Sequence, residues 1–174
     1  MKTIVEHMLP AEFLLKQGIY IQTCGHIELA AWQIIQMVEG VDPTSQKDVQ
    51  RFLQMKLKTW DILEALKKAG NGCRPHIGIR IWMLRADIKE GILNRNMAAH
   101  GAWYMENGGK LGVEHYFRDY GDKQYKFISG KFLMRSINYA VAEADRILRN
   151  AIEIRDLLTK DNKTFLTFRE PSSS

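Results

Sequence analysis

Apolar residues recur along residues 11–39 with the spacing of an α-helix. Successive members of the series lie four or three positions apart, so they share one helix face. The members are Tyr20, Cys24, Ile27, Ala31, Ile34 and Val38. Further apolar residues widen this face beyond a single stripe, which is typical of a helix that is central in its domain or covered by a partner chain.

Three later segments also predict helices. The second helix covers residues 46–68, and the third runs from Pro75, which suits a first helical turn, to His100. The fourth covers residues 131–158, with Ser129 as its N-cap. Long helices are therefore expected to dominate the fold.

Between the third and fourth helices the pattern changes to that of β-strands. Residues 103–105 and 113–117 are rich in aromatic and apolar side chains and are separated by a turn at residues 107–109. The predicted fold is all-α: a four- to five-helix up-and-down bundle with a small β-hairpin inserted between the third and last long helices. We expect a single helical domain over residues 1–160 and a flexible C-terminal tail over residues 161–174.

The composition is that of an ordinary folded protein, with 45% hydrophobic and 26% charged residues among 174. The net charge of +5 is unevenly spread, because residues 1–40 sum to −2 and the rest to +7. A basic body attracts polyanions such as RNA or DNA, although solubility alone also accounts for such a charge. The sequence shows no signal peptide and no membrane span, and Cys24 and Cys73 are expected to be reduced. We therefore expect a cytoplasmic protein without a membrane partner.

Common catalytic and cofactor motifs are absent from the sequence. It contains no GxxxxGKS/T or GxGxxG glycine pattern for a nucleotide, no HExxH metal motif and no GxSxG nucleophile elbow. The five histidines never pair at metal-ligand spacing. We therefore expect neither a metal site nor a cofactor.

The predicted end of the third helix carries residue types suited to phosphate chemistry. Asn96 and His100 are four positions apart and share a helix face, whereas Arg95 lies about 140° from His100 on an ideal helix. Loosening of the last turn would let the long Arg95 side chain reach the same ligand. Arginine binds phosphate through a planar fork of donors, and histidine exchanges protons near neutral pH.

These residue types suit cleavage of RNA without a metal ion. The RNA 2′-hydroxyl supplies the nucleophile, so the protein needs only to move its proton and to stabilise the phosphate charge. DNA lacks that hydroxyl, which makes RNA the expected substrate. The alternative is an accidental spacing, with His100 as a C-terminal cap and Arg95 as a solvated charge.

The segment from Arg95 to Gly101 resembles the signature of the HEPN superfamily, in which an arginine and a polar residue precede a histidine after a short spacer. In that superfamily the motif ends a helix of an all-α bundle. Many members continue with glycine and an aromatic residue, a β-hairpin and a last long helix, and this chain is similar over residues 18–158. The resemblance implies a metal-independent ribonuclease that acts as a toxin, a phage-defence effector or an RNA-processing enzyme.

The resemblance also implies roles for single residues. HEPN proteins commonly work as dimers in which two Arg/His motifs meet in a cleft, so a homodimer with a composite site is expected. Arg95 would hold the scissile phosphate, His100 would act as acid or base or bind the phosphate, and Asn96 would orient His100 or contact the phosphate. An antitoxin or nucleotidyltransferase is a further implied partner, although toxins paired with such antitoxins carry a tyrosine where this chain has Ala102. The alternative is a catalytically inactive HEPN-like module for dimerisation or for binding RNA or protein.

Three further residues lie in the predicted hairpin. Trp103 and Tyr104 are predicted to bind substrate by stacking on an RNA base, with packing of the hairpin against the bundle as the alternative. His115 is interpreted as an exposed strand residue rather than a second catalytic histidine.

Overall fold

The structure is a computed structural model that describes residues 3–42, 45–56, 59–106, 108–118 and 124–161. These residues form six α-helices and three β-strands. In chain order the elements are α1 (Ile4–Met8), α2 (Ala11–Glu39), α3 (Gln46–Lys56), α4 (Thr59–Gly72), α5 (Pro75–His100), β1 (Ala102–Met105), β2 (Leu111–Arg118), β3 (Tyr125–Phe132) and α6 (Met134–Asp161). The described chain is mostly helical, as predicted, but it also carries a three-stranded antiparallel sheet.

The chain divides into two compact units, which are described separately. Unit 1 comprises Met1–His26 and Glu90–Arg146, and unit 2 comprises Ile27–Lys89 and Ile147–Ser174. The helices α2, α5 and α6 each contribute residues to both units. The expected single domain and the up-and-down order of its helices remain predictions. The predicted C-terminal tail, beyond residue 161, lies outside the described residues.

The sheet belongs to unit 1 and has the strand order β1-β2-β3, with both pairs antiparallel. β1 pairs with β2 from Ala102, opposite Glu114, to Met105, opposite Leu111. Because strand side chains alternate between the two sides of a sheet, each side carries its own set of residues. The side that we call the inner face carries the buried residues of β2, which are Leu111, Val113 and His115. The opposite side, the outer face, carries Tyr104, Tyr116, Arg118, Tyr125, Phe127 and Lys131.

The core of unit 1 forms on the inner face of the sheet. Leu9, Phe13, Leu111 and Ile137 are a buried cluster, so the first turns of α2 and α6 pack on β2. Partly buried residues complete it: Leu14, Trp103, Phe132 and Met134. β1, the strand that directly follows α5, contributes Trp103 to this cluster.

Unit 2 is entirely helical in its described residues, and its core is aliphatic. The largest fully buried side chains are Ile34 and Ile35 of α2, Ile62, Leu63 and Leu66 of α4, Ile81 and Leu84 of α5, and Ile154 of α6. At the surface, the Arg51 guanidinium of α3 binds the Glu39 carboxylate of α2 and lies 5.3 Å from the centre of the Trp32 ring. The long helices that also enter unit 1 are thus anchored here by apolar burial.

The predicted second helix is two helices in the structure. α3 ends at Lys56 and α4 begins at Thr59, while residues 57 and 58 lie outside the described residues. One continuous helix over residues 46–68 would place Val49, Leu53 and Leu63 on one face, yet Val49 and Leu53 are exposed and Leu63 is fully buried. The prediction of one helix was therefore wrong: the apolar residues of α3 named here are exposed, whereas Leu63 of α4 lies in the core of unit 2.

The predicted β-hairpin is part of a larger sheet. Residues 125–132 form the strand β3, so Ser129 lies within a strand instead of capping a helix, and α6 begins at Met134. Aromatic and β-branched side chains favour strands, and β2 satisfies the backbone of β3 along eight residue pairs. The all-α prediction is therefore correct only for the helical part of the fold.

A short helix, α1, precedes the first predicted one. Thr3 caps it: its hydroxyl accepts a hydrogen bond from the Glu6 backbone N–H, and the Glu6 carboxylate accepts one from the Thr3 backbone N–H at 2.6 Å. The Thr-x-x-Glu spacing is a capping-box signal that could have identified this helix from the sequence. None of the helices in the described ranges combines the length and apolarity needed to cross a membrane.

Candidate active site

The residues of the Arg/His motif occupy the last two turns of α5. The helix stays regular to its end, because the Gly101 N–H donates to the Met97 carbonyl oxygen at 2.9 Å, which is the i to i−4 pattern. The last turn is therefore not loosened. Arg95 keeps its angular separation from His100, whereas Asn96 lies only about 40° from His100.

A hydrogen bond draws the Arg95 side chain towards the face of His100. Its Nη1 donates to the Asn96 Oδ1 at 3.1 Å. Asn96 lies between Arg95 and His100 in angle around the helix, so this bond turns the guanidinium to the side on which His100 projects. Arg95 and Asn96 are half-buried, and His100 is exposed. The end of α5 thus carries a hydrogen-bonded guanidinium and, about 7 Å further along the helix axis, an imidazole that solvent and ligands can reach.

Tyr20 of α2 lies within electrostatic reach of Arg95. Burial is the main cause that raises the pKa of the Tyr20 phenol above its ordinary value, and Cys24 raises it further. The positive charge of Arg95 acts in the opposite direction. Tyr20 therefore stays a neutral phenol near the guanidinium, and sequence spacing did not identify it as a neighbour.

Side chains from other elements satisfy the last carbonyl groups of α5. The Gln17 Nε2 of α2 donates to the Ala98 carbonyl oxygen at 2.6 Å. The Trp103 Nε1 of β1 donates to the Met97 carbonyl oxygen at 3.0 Å. The Ala98 carbonyl is one that the helix leaves without an internal partner, and the Met97 carbonyl accepts from Trp103 in addition to Gly101. The two side-chain bonds thus fix the end of α5 that carries His100.

Gly101 joins α5 to β1 where no side chain fits. A Cβ atom at this position would lie 2.5 Å from the Met97 carbonyl oxygen and 2.6 Å from the Val113 Cγ2. The glycine therefore allows β2 to approach the end of the helix within van der Waals distance. Glycine commonly follows the last residue of a helix, and at this position it also permits the close approach of β2.

The two predicted substrate-binding residues point to opposite sides of the sheet. Trp103 faces inward, with its ring centroid 5.0 Å from that of Phe13 and 5.6 Å from that of Phe132. These contacts favour the packing alternative for Trp103. Tyr104 faces outward and covers Gly112, where a Cβ would lie 2.3 Å from the Tyr104 Cε2. Stacking on RNA therefore remains a prediction that suits the position of Tyr104 better than that of Trp103.

His115 is buried, so the prediction of an exposed strand residue is wrong. It is only 4% exposed on the inner face, and its ring stacks on that of Phe117 with centroids 5.3 Å apart. Neither ring nitrogen has a hydrogen-bond partner in the described part of the chain. The β1–β2 pairing starts with Ala102 opposite Glu114, so His115 lies one position beyond it, level with Gly101.

Several residues that shape this end of unit 1 were missed by sequence reasoning. Gln17 and Tyr20 lie on α2, far from the motif in sequence, and no local spacing signals their contacts. The exposed aromatic residues of β3, Tyr125 and Phe127, carry a signal, because they lie two positions apart, as residues on one face of a strand do. Across the described ranges, no group of three or more His, Cys, Asp or Glu side chains is arranged to hold a metal ion.

No family model, curated protein or solved structure matches this chain. The interpretation of the site therefore depends on its own geometry. An arginine held by a neighbouring amide, followed by an exposed histidine at a rigid helix end, can bind an oxyanion and exchange a proton with it.

Proposed function

We propose that this chain is a metal-independent RNA endonuclease of HEPN type, in which Arg95 and His100 from two copies form a composite site. The observation that carries the proposal is the Arg95–Asn96 hydrogen bond, which turns a guanidinium towards the side of the exposed His100. Arg95 binds the scissile phosphate, and Asn96 keeps it oriented. His100 moves the protons.

The proposed reaction is attack by the RNA 2′-hydroxyl on the adjacent phosphorus. The bond from the 2′-oxygen to phosphorus forms as the bond from phosphorus to the 5′-oxygen breaks. One imidazole takes the proton of the 2′-hydroxyl, and a protonated imidazole gives one to the leaving 5′-oxygen. Two copies of His100 supply both roles, and the guanidinium stabilises the charge on the phosphate. The products are a 2′,3′-cyclic phosphate and a 5′-hydroxyl.

Cleavage of single-stranded RNA in the presence of EDTA tests this function. We expect His100→Ala to lower the rate at least about 100-fold, because general acid–base catalysis commonly contributes 10²–10⁴. Arg95→Ala should lower it comparably and Asn96→Ala less. His76→Ala, an exposed histidine in the first turn of α5, and Asn94→Ala, an exposed neighbour of the motif, are matched controls. Cleavage that survives both the His100 and the Arg95 substitutions contradicts the proposal.

A mixing experiment tests the composite site. The unaltered chain is mixed with an excess of the inactive His100→Ala variant. After subunit exchange the activity per unaltered chain should fall, because a mixed dimer holds only one of the two imidazoles that the reaction uses. Activity per unaltered chain that stays constant, with mixed dimers shown to form, indicates that the site does not combine groups from two copies.

The proposed role is that of a toxin or phage-defence effector acting in the cytoplasm, controlled by an antitoxin or nucleotidyltransferase partner. Growth arrest on expression that depends on His100 would support this role. The competing function is an inactive HEPN-like module for dimerisation or for RNA or protein binding. RNA binding without turnover, under conditions in which His100→Ala behaves like the unaltered chain, would favour that module.

A further inference from the structure

The outer face of the sheet carries aromatic rings that stay exposed among the described residues of unit 1. Tyr116 is 72% exposed and Tyr125 is 85% exposed, and Phe127 is about half exposed at 49%. Tyr116 and Phe127 are cross-strand partners with ring centroids 4.5 Å apart. A sheet whose outer face only met water would be expected to alternate apolar residues inside with polar ones outside. The exposed rings therefore indicate a surface with a binding role.

Cationic groups are interleaved with these rings. The Arg118 guanidinium lies 5.9 Å from the centre of the Tyr125 ring on the paired strand. At the other end of the face, Lys131 binds the Glu106 carboxylate at 3.0 Å. Lys126 pairs with Phe117 on the other side of the sheet, and Glu114 lies on the outer face opposite Ala102. Arg118, next to Tyr125, is therefore the cation of this face that suits an anionic partner.

The aromatic pair lies at the end of the sheet where α5 terminates. β1 begins at Ala102, opposite Glu114, and Tyr116 follows Glu114 by two residues. At a rise of about 3.3 Å per residue, the ring pair lies about 7 Å beyond the start of β1, in the direction of α5. Tyr104, which faces outward, extends the same face in the opposite direction. The outer face thus leads towards the helix end that carries His100.

We propose that the outer face binds single-stranded RNA, with bases stacked on Tyr116, Phe127 and Tyr125 and the phosphates next to Arg118. Base stacking on aromatic side chains is tolerant of sequence, and a nearby guanidinium adds attraction for the backbone. This inference rests on the proposed function, because cleavage of the bound strand would take place at Arg95 and His100. It assigns the substrate class: a strand whose bases are unpaired and free to stack.

An RNA strand fits this surface better than a protein partner does. The exposed rings and cations of the face lie beside the polar residues Glu114 and Ser129, and the large aliphatic side chain of Ile128 faces the other side. Stacking uses the flat faces of rings while tyrosine hydroxyls remain in water. A stable protein interface would be expected to have a more apolar centre depleted in charge.

Fluorescence anisotropy with a labelled short RNA tests the proposal on the complete chain. The probe is single-stranded, of mixed sequence and 2′-O-methylated at every ribose, so binding is measured without cleavage. We expect Tyr116→Ala and Phe127→Ala each to weaken binding about 10-fold, the effect of losing one stacked base. Tyr125→Ala, which alters the most exposed of the three rings, should also weaken it. Tyr116→Phe should restore binding, because it keeps the ring.

The matched control is Tyr139→Ala, which removes a tyrosine of α6 that is exposed to the same extent, 73%. Binding by this variant should equal that of the unaltered chain. A duplex RNA of the same length should compete poorly, because its bases are already stacked on one another. Equal loss in the Tyr139 variant, equal competition by duplex, or the absence of binding by the unaltered chain overturns the proposal.

Two outcomes separate this inference from the proposed function. Ring-dependent binding together with a lack of cleavage by any variant supports the RNA surface and contradicts the nuclease. His100-dependent cleavage together with undiminished binding by the Tyr116 and Phe127 variants supports the nuclease and contradicts the RNA surface. If those two variants instead change the sedimentation of the protein from dimer to monomer, the outer face is a protein interface, and the proposal is wrong.

Discussion

Gln17 donates a hydrogen bond to the carbonyl oxygen of Ala98, 81 residues away in the chain, at 2.6 Å. Ala98 precedes His100 by two residues, so this bond ties α2 to the end of α5 on which the imidazole is placed. The acceptor is one of the carbonyls that a helix leaves without an internal partner.

Replacement of Gln17 by methionine should therefore loosen the end of α5. The variant keeps the side-chain length but leaves the Ala98 carbonyl without its donor, at a cost of about 1 kcal/mol in the free energy of unfolding. We expect kcat for RNA cleavage to fall more than KM rises, because the imidazole loses its fixed position. Urea unfolding and steady-state kinetics measure the two effects. Gln22→Met, an exposed glutamine of the same helix, should change neither.

Alanine at Gly101 should be strongly destabilising. Its Cβ would overlap the Met97 carbonyl oxygen and the Val113 Cγ2, so either the helix end or β2 must shift. We expect a loss of about 2 kcal/mol or more in the free energy of unfolding. Gly91→Ala on the same helix is the matched control, since nothing lies within 4 Å of its added Cβ. In the control, the free energy of unfolding should rise by up to about 1 kcal/mol, because alanine has the better helix propensity. Denaturant unfolding checks that the two variants change this free energy in opposite directions.

Replacement of His115 by leucine should stabilise the protein. Both ring nitrogens are buried without a hydrogen-bond partner in the described residues, and a buried unsatisfied polar group costs about 1–3 kcal/mol. Leucine fills a similar volume without that penalty, so we expect the free energy of unfolding to rise by about 1 kcal/mol. His26→Leu, at an exposed position on α2, should bring no such gain. A clear loss of stability in His115→Leu would show that the imidazole has a partner in solution.

The ion pair between Glu39 and Arg51 should make a small, acid-sensitive contribution to stability. The hydrogen bond from Arg51 lowers the pKa of the Glu39 carboxyl in the folded protein. The contribution is therefore present above the unfolded carboxyl pKa of about 4.3 and is lost as the pH falls through the lower folded value. Both side chains are one-third exposed or more, so its size should not exceed about 1 kcal/mol.

Unfolding of Glu39→Gln as a function of pH measures this contribution. The variant should be less stable than the unaltered chain from pH 8 down to about pH 5, and the difference should vanish by about pH 3. Glu12→Gln, at an exposed position near the start of α2, is the control for a general effect of removing one negative charge. A difference that grows on acidification would contradict the assignment.

The local pattern of apolar residues was sufficient to predict α2 and α5, the two long helices that carry the residues of the site. The predicted bounds of α2 and of α5 agree with the structure, because apolar spacing, Pro75 and Gly101 are all local signals. The same spacing placed Arg95, Asn96 and His100 correctly at a helix end. Their functional roles remain predictions.

Features that depend on distant pairing could not be predicted in the same way. β3 is a strand because β2 lies beside it, and the burial of His115 depends on what covers the inner face. The Gln17–Ala98 bond joins residues that only the fold brings together. The Asn96 amide, by contrast, acts on its immediate neighbour, and its contact with Arg95 follows from sequence proximity.

The alternation of side chains in the sheet predicts how tolerance to mutation should vary with residue number. In β1 and β2, odd-numbered positions such as Trp103 and Val113 serve folding, whereas even-numbered ones such as Tyr116 face away from the core. The β2–β3 register pairs even-numbered with odd-numbered residues, so in β3 the outward-facing residues, such as Phe127, are odd-numbered. In a saturation scan that scores protein abundance, tolerance to substitution should therefore alternate from one residue to the next. The tolerant positions should be even-numbered in β2 and odd-numbered in β3.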